Sequence, residues 1–416
     1  SFRLFYGVVL LLALPLLVQL CRGRPVRMQL VGMNYFILWF FVLTLFVANT
    51  SLLGRNLGYL LWLILSYTIV ATMSYYVREG VNFRKLFYLY LLSFNVLAIF
   101  GLIQFALALV GVDFFVAQWW ILGKLPRING LSYEPSYYAT YMIIGWSLYL
   151  FLYLQGVRRI YHINTMCWLA VITFALVLCS SRMGILIMVL TAAIVLAAQS
   201  LRGLSTHRVE KRYFWLLLLF LLVIFSAVAL AVAYWEYVSF LLSGTGLFGE
   251  SGHSVSIRSE AMTDLFKIFY NHPIIGYSLG GVPYARAELN DVILLSQAHA
   301  KEYEGINIFA ELLVAGGIIG FSCFIAFIIA LIRRPIALGT RLIGLHRIDV
   351  HITFALVGAL IIELVILSFN QTILRPYLWV LLGFVNVTPM VMLQSDQIRV
   401  PDRRSVLSSG HGDVQA

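Results

Sequence analysis

Residues 306–332 read INIFAELLVAGGIIGFSCFIAFIIALI and contain one charged side chain, Glu311. A run of this kind can cross a bilayer as a helix, which needs about 20 mostly apolar residues. Hydrophobic residues make up 61% of the 416-residue chain, and charged residues only 11%. A soluble fold could not bury so much apolar side chain, so the sequence predicts an integral membrane protein.

Apolar runs recur along the whole chain. They predict an all-α polytopic membrane protein with about 11–12 transmembrane helices, forming a single transmembrane domain over 1–416. The stretch 166–198 could be two spans joined by a tight turn or one broken helix. The predicted spans are 4–20, 30–48, 58–77, 86–110, 137–154, 166–180, 184–198, 213–237, 306–332, 351–369 and 378–393.

Basic residues are distributed unevenly between alternate loops. Most of the 29 Lys and Arg residues lie in loops that the positive-inside rule assigns to the cytoplasm. The tail 394–416 is predicted to be disordered and cytoplasmic. Segments 111–136 and 238–305 are predicted to be external (periplasmic) loops, the second one large. We therefore expect any chemistry to lie outside. The net charge of +11 reflects topology, so nucleic acid is not an expected partner.

Two arginines that are predicted to face the outside are candidates for anion binding. Arg182 interrupts two apolar runs, where a guanidinium is costly unless it binds an anion or snorkels as an interfacial anchor. Arg258 would lie near the positive end of a helix, either binding phosphate or pairing with a lipid headgroup or Glu260. That helix is predicted from an amphipathic stripe formed by Ile257, Ala261, Leu265 and Ile268.

Residues 127–138 (RINGLSYEPSYY) place Glu134 directly before Pro135, which favours the first turn of a helix. Glu134 is therefore either a capping carboxylate or a ligand or general base for an acceptor hydroxyl.

Residues 299–320 (HAKEYEGINIFAELLVAGGIIG) lead into another span. Asn307 and Glu311 lie one helical turn apart, and a carboxylate inside an apolar run is a functional candidate. The glycines Gly316, Gly317 and Gly320 permit close helix packing. Glu302 and Glu304 form a pair without a third metal ligand, so no metal is expected. Glu363, in a later span, is predicted to pair with a group facing the bundle interior.

Taken in order, these segments resemble the bacterial O-antigen polymerase/ligase family of GT-C-like membrane glycosyltransferases. The resemblance covers roughly residues 120–325. Its matching pieces are 127–136, 181–184, Arg258 followed by 272–280, and Asn307 followed by 316–320.

The resemblance implies glycosyl transfer at the periplasmic face of the bacterial inner membrane, from an undecaprenyl-diphosphate-linked glycan to a sugar hydroxyl, without a nucleotide sugar or soluble cofactor. It assigns Arg182 and Arg258 to the diphosphate, with Arg127 as a third candidate. Asn307, Glu311 and Tyr137 are candidate substrate ligands. Arginine suits this task because its planar fork binds phosphate through two hydrogen bonds.

One position departs from the family pattern. The ligase branch carries a His immediately before the Asn that opens the glycine-rich span, whereas this chain has Ile306. The general base is then His299, or a carboxylate: Glu134 first, then Glu302 or Glu304.

This departure favours a polymerase of lipid-linked repeat units (O-antigen or exopolysaccharide) acting by inversion. The alternatives are a ligase that uses lipid A–core as acceptor, and a flippase or other transporter of lipid-linked oligosaccharide. Expected partners are the glycan donor, the acceptor, membrane lipids and a chain-length regulator.

Overall fold

The computed structural model describes residues 4–23, 28–77, 80–121, 125–206, 253–294, 296–304, 307–342, 347–369 and 373–397, with single residues between 218 and 232. Helices dominate these residues, which confirms the all-α polytopic membrane fold. Two short antiparallel hairpins were not predicted. They pair β1 (Trp119–Ile121) with β2 (Leu125–Pro126), and β3 (Arg159–Ile160) with β4 (Ile163–Asn164).

The helices follow the predicted spans, except that most of 213–237 lies outside the described residues. They are α1 (Leu4–Cys21), α2 (Met33–Leu45), α3 (Leu53–Tyr76), α4 (Gly80–Leu109), α5 (Pro135–Leu154), α6 (Thr165–Cys179), α7 (Arg182–Thr206), α8 (His253–Asn271), α9 (Val282–Leu289), α10 (Gln297–Glu302), α11 (Ile308–Leu342), α12 (Ile348–Leu367) and α13 (Pro376–Gln397).

Five of the described helices are long and apolar enough to cross a membrane: α3, α4, α11, α12 and the Pro376–Gln394 part of α13. Shorter apolar helices occur at α1, α2, α6 and the first part of α7. Outward side chains such as Leu11 and Ile194 are both 67% exposed, as expected for surfaces that lipid covers.

The stretch 166–198 forms two helices, α6 and α7, joined by a tight turn. Asn164 begins α6 by accepting hydrogen bonds from the N–H groups of Met166 and Cys167. Ser180 ends α6 in the left-handed region, with φ of 56°. Of the two alternatives for this stretch, the pair of helices is the one observed.

The core lies between α5, α12 and α6, and between α11 and α2, with α13 packed on α3. Trp39, Phe324 and Trp379 are fully buried there. Glu363 is also fully buried, and neither carboxylate oxygen has a hydrogen-bond partner among the described residues. The prediction that Glu363 pairs with a bundle-facing group is wrong in that sense, since the structure gives it no hydrogen bond.

The predicted amphipathic helix is α8. Ala261, Leu265 and Ile268 are almost completely buried, whereas Tyr270 is 77% exposed, so one face of α8 packs on the protein. At the other end of the chain, α13 continues to Gln397, inside the segment that was predicted to be a disordered tail. The rest of that tail lies outside the described residues.

Two contacts define the ends of the bundle. Arg84, near the start of α4, donates two hydrogen bonds of 2.7 Å to Asp349, near the start of α12. Gln155, just after α5, contacts His351 of α12. The starts of α4 and α12 and the end of α5 therefore share one end, the Asp349 end. Helix α5 begins at the opposite end, the Glu134 end, where α12 finishes and α13 starts.

Candidate functional site

The loop before α5 is fixed at the Glu134 end. The side-chain oxygen of Gln104 accepts hydrogen bonds from the backbone N–H groups of Asn129 (3.2 Å) and Gly130 (3.1 Å). Gly130 has φ of 55°, and a Cβ there would lie 2.8 Å from the Tyr138 ring. The glycine is therefore required by both backbone conformation and space, and the loop holds Arg127 and Glu134 in a defined arrangement.

Arg127 lies against the turn between α6 and α7. It donates to the carbonyl oxygens of Cys179 (3.4 Å) and Ser180 (3.1 Å) and to the side-chain oxygen of Gln118 (2.8 Å). Burial lowers the pKa of the Arg127 guanidinium; Arg182 also lowers it, and Glu134 raises it. Arg127 thus links the turn between α6 and α7 to the loop before α5. It lies within electrostatic reach of Arg182 and Glu134.

Arg182 and Glu134 come from separate motifs but lie at neighbouring helix starts. Arg182 is the first residue of α7 and is exposed. A Cβ on Gly184, two residues later, would lie 3.1 Å from Ala139 of α5. The Cys179 thiol at the end of α6 donates to the carbonyl oxygen of Pro135, at 2.9 Å. These contacts bring the turn that carries Arg182 to the first turn of α5.

Glu134 occupies the N-cap position of α5, but its side chain makes no capping hydrogen bond to the helix. Its carboxylate accepts a hydrogen bond of 3.0 Å from the Ser136 hydroxyl. The capping alternative is therefore not observed, and the half-buried carboxylate lies within electrostatic reach of the Arg127 guanidinium.

Arg375 joins this group from the segment between α12 and α13. Its guanidinium carbon lies 4.1 Å from the ring centroid of Tyr137, in the first turn of α5. Its Nε is buried and has no hydrogen-bond partner among the described residues. Arg375 was not predicted as a site residue. We call Arg127, Glu134, Tyr137, Arg182 and Arg375 the arginine cluster.

A pocket with about 400 Å³ of empty space, part of it open to solvent, lies at the same end. We call it the Glu304 pocket. Apolar side chains form most of its wall, and four polar side chains complete it. The lining residues are Arg55, Tyr59, Leu279, Val282, Pro283, Glu304, Ile308, Glu311, Leu312, Ile373 and Leu374.

A buried ion pair forms the polar side of this pocket. Arg55, near the start of α3, pairs with Glu304 and donates to the Tyr59 hydroxyl at 3.0 Å. The Tyr59 hydroxyl in turn donates to Glu304, at 2.8 Å. The side chains of Arg55 and Glu304 are only 3% and 16% exposed. Two members of this triad, Arg55 and Tyr59, were not predicted as site residues.

Arg286 of α9 fixes the backbone of the same segment. It donates to the carbonyl oxygen of Glu304 at 3.1 Å and to the carboxylate of Asp264 in α8 at 3.3 Å. Its guanidinium carbon lies 5.9 Å from the centre of the Tyr303 ring. This nearly buried arginine holds the pocket wall against α8.

Residues 272–281 dock on a break in α11. Gly317 interrupts the helix with φ of 59° and ψ of −171°. The N–H of Ile318 donates to Pro273, while the N–H groups of Tyr277 and Ser278 donate to Val314 and Ala315. The carbonyls left without helical partners at the break are therefore satisfied by this segment. Gly317 was predicted to permit close helix packing, and the structure shows that it also breaks the helix. Gly320 does pack closely, since a Cβ there would lie 3.2 Å from Val42 of α2.

The remaining predicted site residues are placed differently. Asn307 caps α11 through the N–H groups of Phe309 and Ala310 and donates to the carbonyl oxygen of Ser368 at 2.7 Å. His299 lies on α10 with its ring 5.7 Å from that of Tyr303, and Glu302 is exposed. None of these three lines the Glu304 pocket. Among the described residues, no group of three or more His, Cys, Asp and Glu could hold a metal ion.

Arg258 lies in α8, but its side chain is outside the described residues. Its assignment to a diphosphate therefore stays a prediction.

Residues 166–325 match the family model described as O-antigen ligase. This stretch is therefore similar to the O-antigen ligase family. The match confirms the resemblance to the O-antigen polymerase/ligase family. No curated protein matches the chain.

The matched stretch supplies only part of the arginine cluster and part of the Glu304 pocket. Arg182, Glu304 and Glu311 lie within 166–325, whereas Glu134 and Arg375 lie outside it. The matched stretch therefore meets flanking helices at both the arginine cluster and the Glu304 pocket.

Proposed function

We propose that the protein polymerises undecaprenyl-diphosphate-linked oligosaccharide repeat units at the periplasmic face of the bacterial inner membrane. The product is O-antigen or a related exopolysaccharide. The observation that carries the proposal is the meeting of Arg182, Arg375 and Glu134 at one end of a membrane bundle that is similar to the O-antigen ligase family over 166–325.

The donor's diphosphate fits the arginine cluster. Cleavage of the bond between the sugar and the lipid diphosphate leaves negative charge on phosphate oxygens, and guanidiniums fixed beside them stabilise that charge. Arg182 and Arg375 are placed for this role. The N–H groups of Arg127 donate hydrogen bonds to Gln118 and to the turn before Arg182. We therefore assign Arg127 the role of positioning that turn.

The proposed reaction is a single displacement. The oxygen of an acceptor hydroxyl bonds to the anomeric carbon from the face opposite the diphosphate. The anomeric C–O bond breaks, and undecaprenyl diphosphate leaves with the electron pair. Glu134 accepts the hydroxyl proton. The configuration at the anomeric carbon is inverted, and no metal or soluble cofactor enters the step.

Glu134 is the best placed of the four candidate bases. Glu304 is engaged by Arg55 and Tyr59, whereas Glu302 is exposed and His299 lies against Tyr303. Of these four, Glu134 is the one whose charge acts on the Arg127 guanidinium, which supports its choice as the base.

A ligase is the second candidate, because the family model that matches 166–325 is described as O-antigen ligase. It would use the same donor and the same arginine cluster. The acceptor would be lipid A–core instead of a second lipid-linked glycan.

The test uses purified protein in vesicles with undecaprenyl-diphosphate-linked repeat units, with and without lipid A–core. Chain ladders on the carrier support the polymerase, and transfer to lipid A–core supports the ligase. Arg182→Ala should lower either activity at least about 100-fold, because a guanidinium is lost at the leaving group.

Arg159→Ala is the matched control, since Arg159 is an exposed arginine of β3 at the Asp349 end. Its activity should equal that of the wild type. Wild-type activity in a correctly inserted Arg182→Ala protein would contradict the assignment of the arginine cluster.

A further inference from the structure

Residues 268–285, from the last turn of α8 into α9, form an uncharged stretch. They read IFYNHPIIGYSLGGVPYA and contain no Asp, Glu, Lys or Arg, although a charged residue lies directly on each side. The part 270–275 is exposed throughout. Its three large apolar side chains, Tyr270, Ile274 and Ile275, are 77%, 59% and 55% exposed. Single apolar side chains at a surface are ordinary, whereas a group of three within six residues marks a contact surface.

The depth of this stretch follows from its contacts with α11. Asn307, directly before α11, donates to Ser368 just after α12, so α11 begins at the Glu134 end. The uncharged run of α11, 312–332, is about 20 residues long, which matches the roughly 30 Å hydrocarbon core of a bilayer. Gly317 lies about 8 Å inside that run, at 1.5 Å per residue. Residues 273–278 bond to α11 on both sides of Gly317, so they lie at the depth of the hydrocarbon nearest the Glu134 end.

The backbone of 273–278 is suited to surroundings without water. Irregular backbone is tolerated at membrane depth only where protein satisfies its hydrogen bonds. The break in α11 provides three of these bonds. Two asparagines add to them: Asn49 donates to the carbonyl oxygen of Gly276 at 2.8 Å, and Asn56 donates to that of Tyr277 at 3.2 Å. The polar backbone atoms thus face the protein, and the apolar side chains of 274 and 275 face outward.

We propose that residues 270–275 insert into the lipid leaflet at the Glu134 end and bind acyl chains there. We call these residues the lipid corner. Ile274 and Ile275 contact the acyl chains. Tyr270 lies near the headgroups, where a side chain with an apolar ring and a polar tip is favoured. The corner thereby fixes the last turn of α8 to the bilayer. This inference does not depend on the reaction proposed above.

The surface of α11 beside the lipid corner identifies the occupant as bilayer lipid. Ile318 and Ile319 of α11 are 46% and 49% exposed, in a helix long and apolar enough to cross a membrane. The N–H of Ile318 donates to Pro273 at 2.9 Å, so the corner and this outward face of α11 are directly joined. Lipid that covers α11 therefore continues over the lipid corner.

The experiment measures the depth of a spin label at the lipid corner. Ile275→Cys is made in a Cys21→Ser, Cys167→Ser background, because the other two cysteines are buried. The labelled protein is reconstituted in vesicles of phosphatidylethanolamine and phosphatidylglycerol. Oxygen concentrates in hydrocarbon and a polar nickel chelate stays in water, so the ratio of the label's collisions with the two reports depth. We expect this ratio to be several-fold higher at 275 than at a water-exposed position.

Three further labels provide the controls. Glu288→Cys, at an exposed residue of α9, gives the ratio expected in water, and Ile319→Cys gives the ratio expected in lipid. Ile274→Cys should agree with Ile275→Cys, which shows that the result does not depend on one substitution. Each labelled variant should unfold at the temperature of its parent.

Three results would overturn the inference. A ratio at 275 equal to that at 288 would place the corner in water. A label that neither oxygen nor the nickel chelate reaches would mean that protein, such as a second copy of the chain, covers the corner. Oxygen access that is lost when undecaprenyl phosphate is added to the vesicles would assign the corner to a polyprenyl chain instead of bilayer lipid.

Discussion

The arginine cluster and the Glu304 pocket lie at the same end of the bundle and use the same residue types, but they arrange charge in opposite ways. In the cluster, three guanidiniums accompany one carboxylate, and Arg182 at its edge is exposed. In the pocket, a single buried guanidinium is paired with Glu304, and Glu311 adds a second carboxylate.

This difference shows why counting arginines does not identify a phosphate site. Arg55 is more deeply buried than Arg182, but its charge is already neutralised by Glu304. A guanidinium attracts a further anion only where the local balance leaves positive charge, which holds for the arginine cluster.

The largest expected effect tests whether Glu134 differs in role from Glu304. Glu134→Gln should lower the rate of glycosyl transfer about 1,000-fold, because the amide cannot accept the acceptor's proton. Affinity for undecaprenyl diphosphate should not fall, since a negative charge beside the guanidiniums is removed. Initial rates and lipid titration measure the two quantities.

Glu288→Gln serves as the control for a carboxylate lost at the surface. A Glu134→Gln protein that transfers glycan at the wild-type rate would show that the Glu134 carboxylate is structural, and the contrast between the two regions would disappear.

Sequence alone predicted the parts of the site that lie in local motifs. Glu134 and Arg182 were predicted because each stands next to a helix boundary, marked by Pro135 or by the Ser180-Ser181 pair. Arg127 was predicted from the family resemblance. Helix positions were likewise predictable, since long apolar runs in a membrane protein have few alternatives to a helix.

The remaining residues could not be predicted from local patterns. Arg55 and Glu304 are far apart in the sequence, and so are Arg375 and Tyr137. Only the tertiary fold brings each pair into contact. Gly317 was predicted to be a packing glycine. A pair of glycines in an apolar run does not indicate whether either one has a positive φ. In the sequence, Arg375 is marked only by its position directly before Pro376.

Replacing Arg375 tests whether this residue contributes to the arginine cluster. Arg375→Ala should lower the transfer rate about 100-fold, as loss of one preorganised donor to a developing oxyanion does. Arg375→Lys should recover little of it, because an ammonium cannot stack flat on Tyr137 while binding phosphate through a fork. Initial rates of donor consumption measure both, and full rescue by lysine would contradict the geometry.

The smallest expected effect concerns the break in α11. Gly317→Ala should destabilise the protein by about 2 kcal/mol, because alanine strains the left-handed backbone. Its Cβ would also lie 2.4 Å from the carbonyl oxygen of Ile274.

Gly316→Ala is the matched control from the same glycine pair. Its Cβ would meet nothing closer than 3.6 Å, so its thermal unfolding in detergent should match that of the wild type. Equal unfolding temperatures for both variants would mean that the break in α11 does not depend on Gly317.

The pairing of Arg84 with Asp349 has a consequence for the membrane itself. It links α4 to α12 at the end of the bundle farthest from the arginine cluster and the Glu304 pocket, and Gln155 with His351 adds a second tie between α5 and α12. Under the proposed function both substrates come from one compartment, so the opposite end has no need to open. We expect these cross-links to keep that end closed and to preserve the permeability barrier against ions.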